Sequence, residues 1–223
     1  MQKKGAKKSV EKALDLLEAL KEHDYLGVTE LSNILGLNKN NVFRLLATLE
    51  VKGLIEQDEE TGNYKLGTKT LFLEYAYIKN LPILNVAKPF IKNLRNQTNE
   101  SVYLSILHDN DVVYIYEKQS KHSVLVKSRV ARRFPALETA AGRSILRAKR
   151  DNGDIFECDV EGAEREVSEI ATVIRDEADH PVAALSIVAP ISRLNKDNCE
   201  GLLKYYLLNT AKEISNISKI DLP

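Results

Sequence analysis

Apolar residues recur at three- and four-residue intervals as Val10, Ala13, Leu14, Leu17 and Leu20, behind a Ser9 placed to cap them. That spacing predicts an amphipathic helix reaching His23. Thr29 is placed to cap a second, short helix over residues 30–35, with Leu31, Ile34 and Leu35 inward and Gly36 at its left-handed end. Leu37-Asn38 forms a turn, and Asn38 caps a third helix to about residue 52 that buries Val42, Leu45, Leu46 and Leu49. Three short helices with a tight turn before the third predict a helix-turn-helix. Residues 54–57 and 64–67 flank the turn-rich residues 58–63 and predict a hairpin. The whole reads as a winged helix.

Residues 68–80 keep a helical pattern with apolar residues on two faces, Leu71, Tyr75 and Ile78 on one, Phe72 and Ala76 on the other. Such a helix needs two partners. Its own wing domain and the same helix of a second subunit would serve, which predicts a homodimer through this linker; the alternative is a helix sunk in one domain. Pro82 and Pro89 punctuate the next stretch, after which Phe90, Leu94 and Gln97 continue a helical face that breaks near Asn99. Alternating runs at 102–108, 111–117 and 123–130 read as strands, the first two joined by Asp109-Asn110. Residues 135–137 lead into a helix that contains residues 139–146. After an acidic, irregular stretch, two more strands follow at 170–174 and 182–189. A long helix then carries Leu202, Leu203, Tyr206, Leu207, Thr210, Ile214 and Ile217 on one side. Strands and helices mixed without regular alternation indicate an α+β fold, an antiparallel sheet backed by helices. The expected organisation is a winged helix over 1–67, a linker helix over 68–80 and a second domain over 81–223.

The chain has 223 residues, 43% hydrophobic and 29% charged, an ordinary globular balance. Its apolar runs fall short of the roughly 18 residues a membrane span needs. The first residues lead into a helix with Glu11 and Asp15, so no secretory signal is expected. Two cysteines, Cys158 and Cys199, make no disulfide scaffold and no metal spacing, which fits a reducing cytoplasm. Net charge is zero, so bulk charge does not attract nucleic acid and any such binding is local. Charge is unevenly spread: residues 81–150 carry 13 basic against 5 acidic residues, and residues 151–223 carry 7 against 15. Lys3, Lys4, Lys7, Lys8 and Lys12 against Glu11 form a basic arm, either a solvated terminus or a reach toward phosphates.

Once the third helix has buried its apolar stripe, Lys39, Asn40, Asn41, Phe43, Arg44 and Thr48 are left on its outer face, and no acidic residue lies between 38 and 49. The first turns of a recognition helix meet base edges in the major groove, where Asn pairs with adenine, Arg with guanine and an apolar ring with the thymine methyl. Double-stranded DNA is therefore the expected partner, with Thr29 and Asn38 at the helix starts and Asn63 and Lys65 on the wing joining the contact set. The other reading is a solvated helix end with Arg44 paired to Glu30 or Glu50, or a winged helix that binds a protein. Asp58, Glu59 and Glu60 on the wing would be repelled by phosphates and favour the latter. His23, His108, His122 and His180 stand apart, and no nucleophile elbow, P-loop or dinucleotide fingerprint occurs. No enzyme, metal or cofactor is expected.

Val28-Thr29-Glu30-Leu31, Leu35-Gly36-Leu37, the run from Val42 to Leu49 and Tyr64-Lys65-Leu66-Gly67 together resemble the DNA-binding domain of the IclR family of bacterial transcriptional regulators. Asn99-Glu100-Ser101-Val102-Tyr103-Leu104, Thr139-Ala140-Ala141-Gly142 and Val182-Ala183-Ala184-Leu185-Ser186-Ile187 are similar to that family's effector-binding domain. The resemblance implies a dimer or tetramer on a pseudo-palindromic operator and a GAF-like second domain sensing small organic acids or aromatic metabolites. It also implies an effector carboxylate cradled by the backbone at Ala140 and Ala141, with Asp159 and Ser186 as polar pocket positions.

From the residues themselves, Ala140-Ala141-Gly142 at a helix start leave N–H groups open to a carboxylate; close helix packing explains small residues as well. Glu169 departs from the family's small or thiol residue at this position. An anionic Glu169 would oppose an anionic effector, which points to a cationic, neutral or lost effector unless Arg165 or Arg175 pairs with it. Glu169, Asp159 and Ser186 would also suit a small-molecule enzyme. Lys127, Arg129, Arg132 and Arg133 form either a second nucleic-acid patch or a partner for the acidic C-terminal third, within the subunit or across a tetramer.

Overall fold

A computed structural model describes residues 9–221, with side chains described to residue 217. Lys3, Lys4, Lys7 and Lys8 of the basic arm lie outside it. Contacts divide the chain into two compact units, Met1–Asn80 and Leu81–Pro223.

The first unit runs α1 (Ser9–Glu22), α2 (Val28–Leu35), α3 (Lys39–Val51), β1 (Ile55–Gln57), β2 (Tyr64–Leu66) and α4 (Lys69–Lys79). Leu16, Leu20, Leu31, Val42, Leu46, Leu49, Ile55 and Tyr64 form its core. The antiparallel hairpin β1–β2 pairs Ile55 with Leu66 and Gln57 with Tyr64, as the turn signals predict. Two apolar stripes hold in part: Ala13, Leu17 and Leu20 of α1 and Leu31 and Leu35 of α2 reach the core, and the rest do not. Helix α1 buries Leu16, Ala19 and Leu20, while Val10 and Leu14 are 69% and 56% exposed. Ile34 of α2 is also exposed. The packing of α1 against α2, α3 and β2 decides which of its apolar residues are covered. Helix α4 buries none of its residues, and Leu71, Phe72, Leu73, Tyr75 and Tyr77 are all exposed, which removes the alternative of a helix sunk in one domain.

The second unit runs α5 (Pro82–Thr98), β3 (Ser101–His108), β4 (Asp111–Lys118), β5 (Arg133–Pro135), a 3-10 turn (Ala136–Glu138), α6 (Ala140–Ala148), β6 (Glu157–Val160), β7 (Val167–Arg175), β8 (Pro181–Pro190) and α7 (Leu202–Asp221). Its six strands form one sheet in the order β5-β4-β3-β8-β7-β6, antiparallel throughout. Tyr103, Tyr114, Ala171, Ala184 and Val188 turn one face to Ala140, Ala141 and Ile145 of α6. By the pleat, Val102, Leu104, Ile170, Leu185 and Ile187 face the other way, and they too are fully buried. Helices α5 and α7 pack together and on the sheet. Burial of both faces explains why β7 and β8 read as unbroken apolar runs rather than alternating ones.

Four elements differ from expectation. Residues 123–130 form no strand; Val130 makes one isolated bridge to Tyr114, and β5 takes the sheet edge instead. The alternation there fails because Val126 and Arg129 turn inward, whereas Val124 stays 63% exposed. Strand β6 lies inside the stretch taken as irregular, its Cys158 and Asp159 paired with Ile170 and Glu169. The buried face of α5 is Ile83, Leu84, Ala87, Ile91 and Leu94, with Gln97 exposed. On α7, Leu207, Thr210, Ala211 and Ile214 are buried, but Leu202 is exposed.

A Cβ added at Gly142 would stand 2.2 Å from the Ala136 carbonyl oxygen and 2.5 Å from its Cα. Backbone cannot step aside as a flexible side chain does. Gly142→Ala is therefore expected to cost about 3 kcal/mol, at the upper end for overpacking, with α6 pushed away from the 3-10 turn. Urea unfolding of the two proteins checks this; an unchanged midpoint would mean that the helix shifts freely.

Candidate functional site

Helix α3 begins because Asn38, in extended backbone, accepts the Asn41 N–H at 2.9 Å. Gly36, with φ 62°, turns the chain left-handed between α2 and α3. The outer face of α3 then holds Lys39, Asn40, Phe43, Arg44 and Thr48 exposed, with Asn41 half-buried. Phe43 is 52% exposed, a large apolar ring left half open to solvent. Among the described residues, neither Lys39 nor Arg44 has a carboxylate within 4.0 Å, so the pairing of Arg44 with Glu30 or Glu50 does not form. The Thr48 hydroxyl donates to the Arg44 carbonyl at 2.8 Å, leaving its oxygen as an acceptor. A groove of about 180 Å³ runs between Ser9, Lys12, Asn41, Arg44, Leu45 and Thr48. Lys12, assigned from sequence to the arm, thus stands in one cationic patch with Arg44.

Thr29 does not cap α2. The helix starts two residues earlier, at Val28, with Gly27 as its cap, and Glu30 reaches back to accept the Gly27 N–H at 2.7 Å. Thr29 is left exposed in the first turn. On the wing, Asn63 and Lys65 are half-buried, and the Lys65 ammonium lies 5.7 Å from the Tyr25 ring centroid. Two wing acids are spent on the fold. Asp58 accepts from the Thr61 hydroxyl and N–H, both at 2.8 Å, which lowers its pKa. Glu56 accepts the Thr68 N–H at 2.8 Å.

In the second unit, Thr139 caps α6 by accepting the Gly142 N–H at 3.0 Å. Ala140, Ala141 and Gly142 are buried, and their N–H groups are not all open. The Ala141 N–H donates to Glu169 Oε2 at 3.4 Å, and the Tyr114 hydroxyl donates to Glu169 Oε1 at 2.9 Å. The partner of Glu169 is neither Arg165 nor Arg175. Arg129 Nη1 stands 3.4 Å from Glu169 Oε2 and donates to the Tyr114 hydroxyl at 3.0 Å. Arg175 instead donates to the carbonyls of Ala148, Asp151 and Asp179. Arg129 Nε also donates to Glu164 at 2.7 Å, and Arg132 holds the other Glu164 oxygen at 3.0 Å. The side chains of Arg129 and Glu169 are each 1% exposed. So Arg129 belongs to no second nucleic-acid patch; it meets the acidic third inside the unit.

Burial works against the charge of Arg129, yet Glu169, Tyr114 and Glu164 outweigh it and hold its pKa above the ordinary value. Burial first, then the Glu169 charge, raise the Tyr114 phenol, so it remains a donor.

The other two pocket candidates lie on the same sheet. Asp159 stands opposite Glu169 across β6 and β7 and pairs with Arg143 at 3.3 Å. Ser186 is fully buried on β8, and its hydroxyl has no hydrogen-bond partner among the described residues. The sequence offers Arg129 only as one of a basic cluster facing the acidic C-terminal third, and Tyr114 not at all, because Tyr114 and Arg129 lie 55 and 40 positions from Glu169 and no local spacing joins them to it. Cys158 and Cys199 also come together, and the Cys158 thiol is pushed up to about 12, by burial first and then by Cys199. Among the described residues no cluster of His, Cys, Asp or Glu could hold a metal, and no helix is long and apolar enough to cross a membrane.

The sequence matches the IclR helix-turn-helix domain over residues 9–59 and the C-terminal domain of the bacterial transcriptional regulator IclR over residues 75–158 and 149–216. It is 32% identical to the HTH-type transcriptional regulator KdgR of Escherichia coli K12 over 78% of this chain and 65% of that one. With the XynR regulator of the same organism it shares 33% identity over 62% of this chain, spanning only 55% of XynR. The HTH-type transcriptional repressor AllR of Salmonella typhi is 27% identical over 95% of this chain and 90% of its own. Among solved structures, an IclR transcriptional regulator from Alicyclobacillus acidocaldarius superposes with a TM-score of 0.76 at 21% identity, covering 94% of this chain and 98% of that one. An IclR homologue from Microbacterium hydrocarbonoxydans, complexed with 4-hydroxybenzoate, superposes with 0.79 at 17% identity, covering 95% and 99%. These relatives are transcriptional regulators rather than enzymes, and with both domain matches in chain order this chain belongs to the IclR family.

Proposed function

We propose that this protein is a sequence-specific DNA-binding transcriptional regulator that acts as a dimer on a pseudo-palindromic operator. The observation that carries the reading is the outer face of α3: exposed Lys39, Asn40, Phe43 and Arg44, with no carboxylate on residues 38–49. Thr29 and Thr48 flank that face, Asn38 and Asn41 shape its start, and Asn63 and Lys65 contribute from the wing. Exposed apolar residues all round α4 support pairing with the same helix of a second subunit. Two-fold pairing would put recognition helices in successive major grooves, about 34–36 Å or a multiple apart.

The C-terminal unit is read as the effector-sensing and oligomerising part, its pocket positions Ala140, Ala141, Gly142, Asp159, Glu169 and Ser186 gathered at the α6 face of the sheet. A bound 4-hydroxybenzoate in one structural neighbour supports a small-molecule effector for the fold. An effector would shift the spacing of the two winged helices only by its difference in affinity for two arrangements.

Selection from random duplexes tests the reading. Enrichment of an inverted repeat whose half-sites lie a whole number of turns apart is the expected result. Enrichment of nothing, or of an unrepeated site, would refute it.

A further inference from the structure

Resting on the effector reading of the C-terminal unit, we infer that Glu169 is a built-in ligand: its carboxylate fills the anion site at the start of α6, so the wild-type chain takes no carboxylate effector there. A carboxylate bound in a protein needs several donors and a compensating cation. Glu169 has the Tyr114 hydroxyl at 2.9 Å, the Ala141 N–H at 3.4 Å and the Arg129 guanidinium at 3.4 Å. Those donors come from β4, the first turn of α6 and the segment before β5, and they converge on one buried point. The α6 dipole adds to them. Arg129 is held in place by Glu164 and by the Tyr114 and Phe134 rings, whose centroids lie 5.3 and 5.2 Å from its guanidinium carbon. The donor set is thus anchored independently of the acid it holds.

A site of this kind has room for one carboxylate, and a covalently attached one is preorganised where a free one must be immobilised. Glu169 therefore does not merely repel an anionic effector; it takes that effector's place. The atoms removed by Glu169→Ala, Cγ, Cδ and two oxygens, are the heavy atoms of an acetate ion. The variant should leave a buried hole shaped for acetate and lined by unspent donors, with the unpartnered Ser186 hydroxyl on the same face of the sheet.

The test is thermal melting and calorimetry of full-length wild type, Glu169→Ala and Glu169→Gln with sodium acetate, formate and benzoate, against acetamide and chloride at equal ionic strength. Acetate is expected to raise the Tm of Glu169→Ala by about 3–6 °C at tenfold its dissociation constant, with acetamide inactive. Wild type should move by less than about 1 °C, and so should Glu169→Gln, whose amide still fills the hole. A folded Glu169→Ala indifferent to acetate, or one unfolded and not restored by it, overturns the inference. So does wild-type binding of any of these carboxylates that is lost when Arg129 and Glu169 are both replaced by apolar residues, a result readable whether or not Glu169→Ala folds. No DNA enters these measurements, so a failed operator selection and a failed acetate rescue are told apart.

Discussion

Arg129→Met is expected to lower the stability of the C-terminal unit by about 3–5 kcal/mol, the usual cost of stripping one partner from a buried ion pair. The substitution leaves Glu169 with the Tyr114 hydroxyl and one N–H but without its cation, at a position 1% exposed. Glu164 loses its 2.7 Å bond from the same side chain and keeps only Arg132. Replacing both members, as Arg129→Met with Glu169→Leu, removes the stranded charge and should recover most of the loss, because apolar groups of similar volume need no solvation. The interaction between the two substitutions is thus expected to be large and favourable in a double-mutant cycle. Near-ultraviolet circular dichroism in urea follows the relevant transition, since Tyr103 and Tyr114 stack edge-on at 5.5 Å within this centre. A single mutant within about 1 kcal/mol of wild type would mean that water or a rearranged carboxylate solvates the site instead.

On the DNA side, Arg44→Ala is expected to weaken operator binding by about 1–3 kcal/mol per half-site and to relax base preference at one position of each half. The physical ground is that Arg44 is exposed, without a carboxylate partner among the described residues, and presented from the second turn of a capped helix. Its guanidinium matches the two acceptors of guanine in the major groove. Lys39→Ala should behave differently. If the flexible Lys39 ammonium at the helix start meets phosphate rather than a base edge, its loss should weaken all sequences alike and reduce the salt slope by about one. Binding curves for operator and scrambled duplex at several salt concentrations separate the two. Equal losses on both duplexes for Arg44→Ala would move that residue from base reading to backbone positioning.

Local signals carried the first unit well. Gly36, the Asn38 cap, the turn-rich residues 58–63 and the intervals of Val42, Leu46 and Leu49 each act within a few residues, and each stands in the structure where its chemistry places it. The misses there share one cause. Thr29 and Gly27 are both acceptable caps, and the reach of Glu30 back to Gly27 decides between them. Val10 and Leu16 are both plausible core positions, and the packing of α1 against α2, α3 and β2 ranks them.

Sequence by itself determined the helix-turn-helix and hairpin of the first unit, the uncovered cationic and amide face of α3, and the presence at position 169 of an acid that conflicts with an anionic ligand. Tertiary structure alone decided how that conflict is resolved. Arg129 reaches Glu169 because residues 123–130 form no strand and turn an arginine inward, against the alternation that made them look like one, while Tyr114 reaches it from β4 within the sheet. Periodicity reports which residues favour burial along one element; it holds no information about which charge on a distant segment will be buried beside which other, since that pairing is set by the register of β4, β6 and β7 and by where α6 begins.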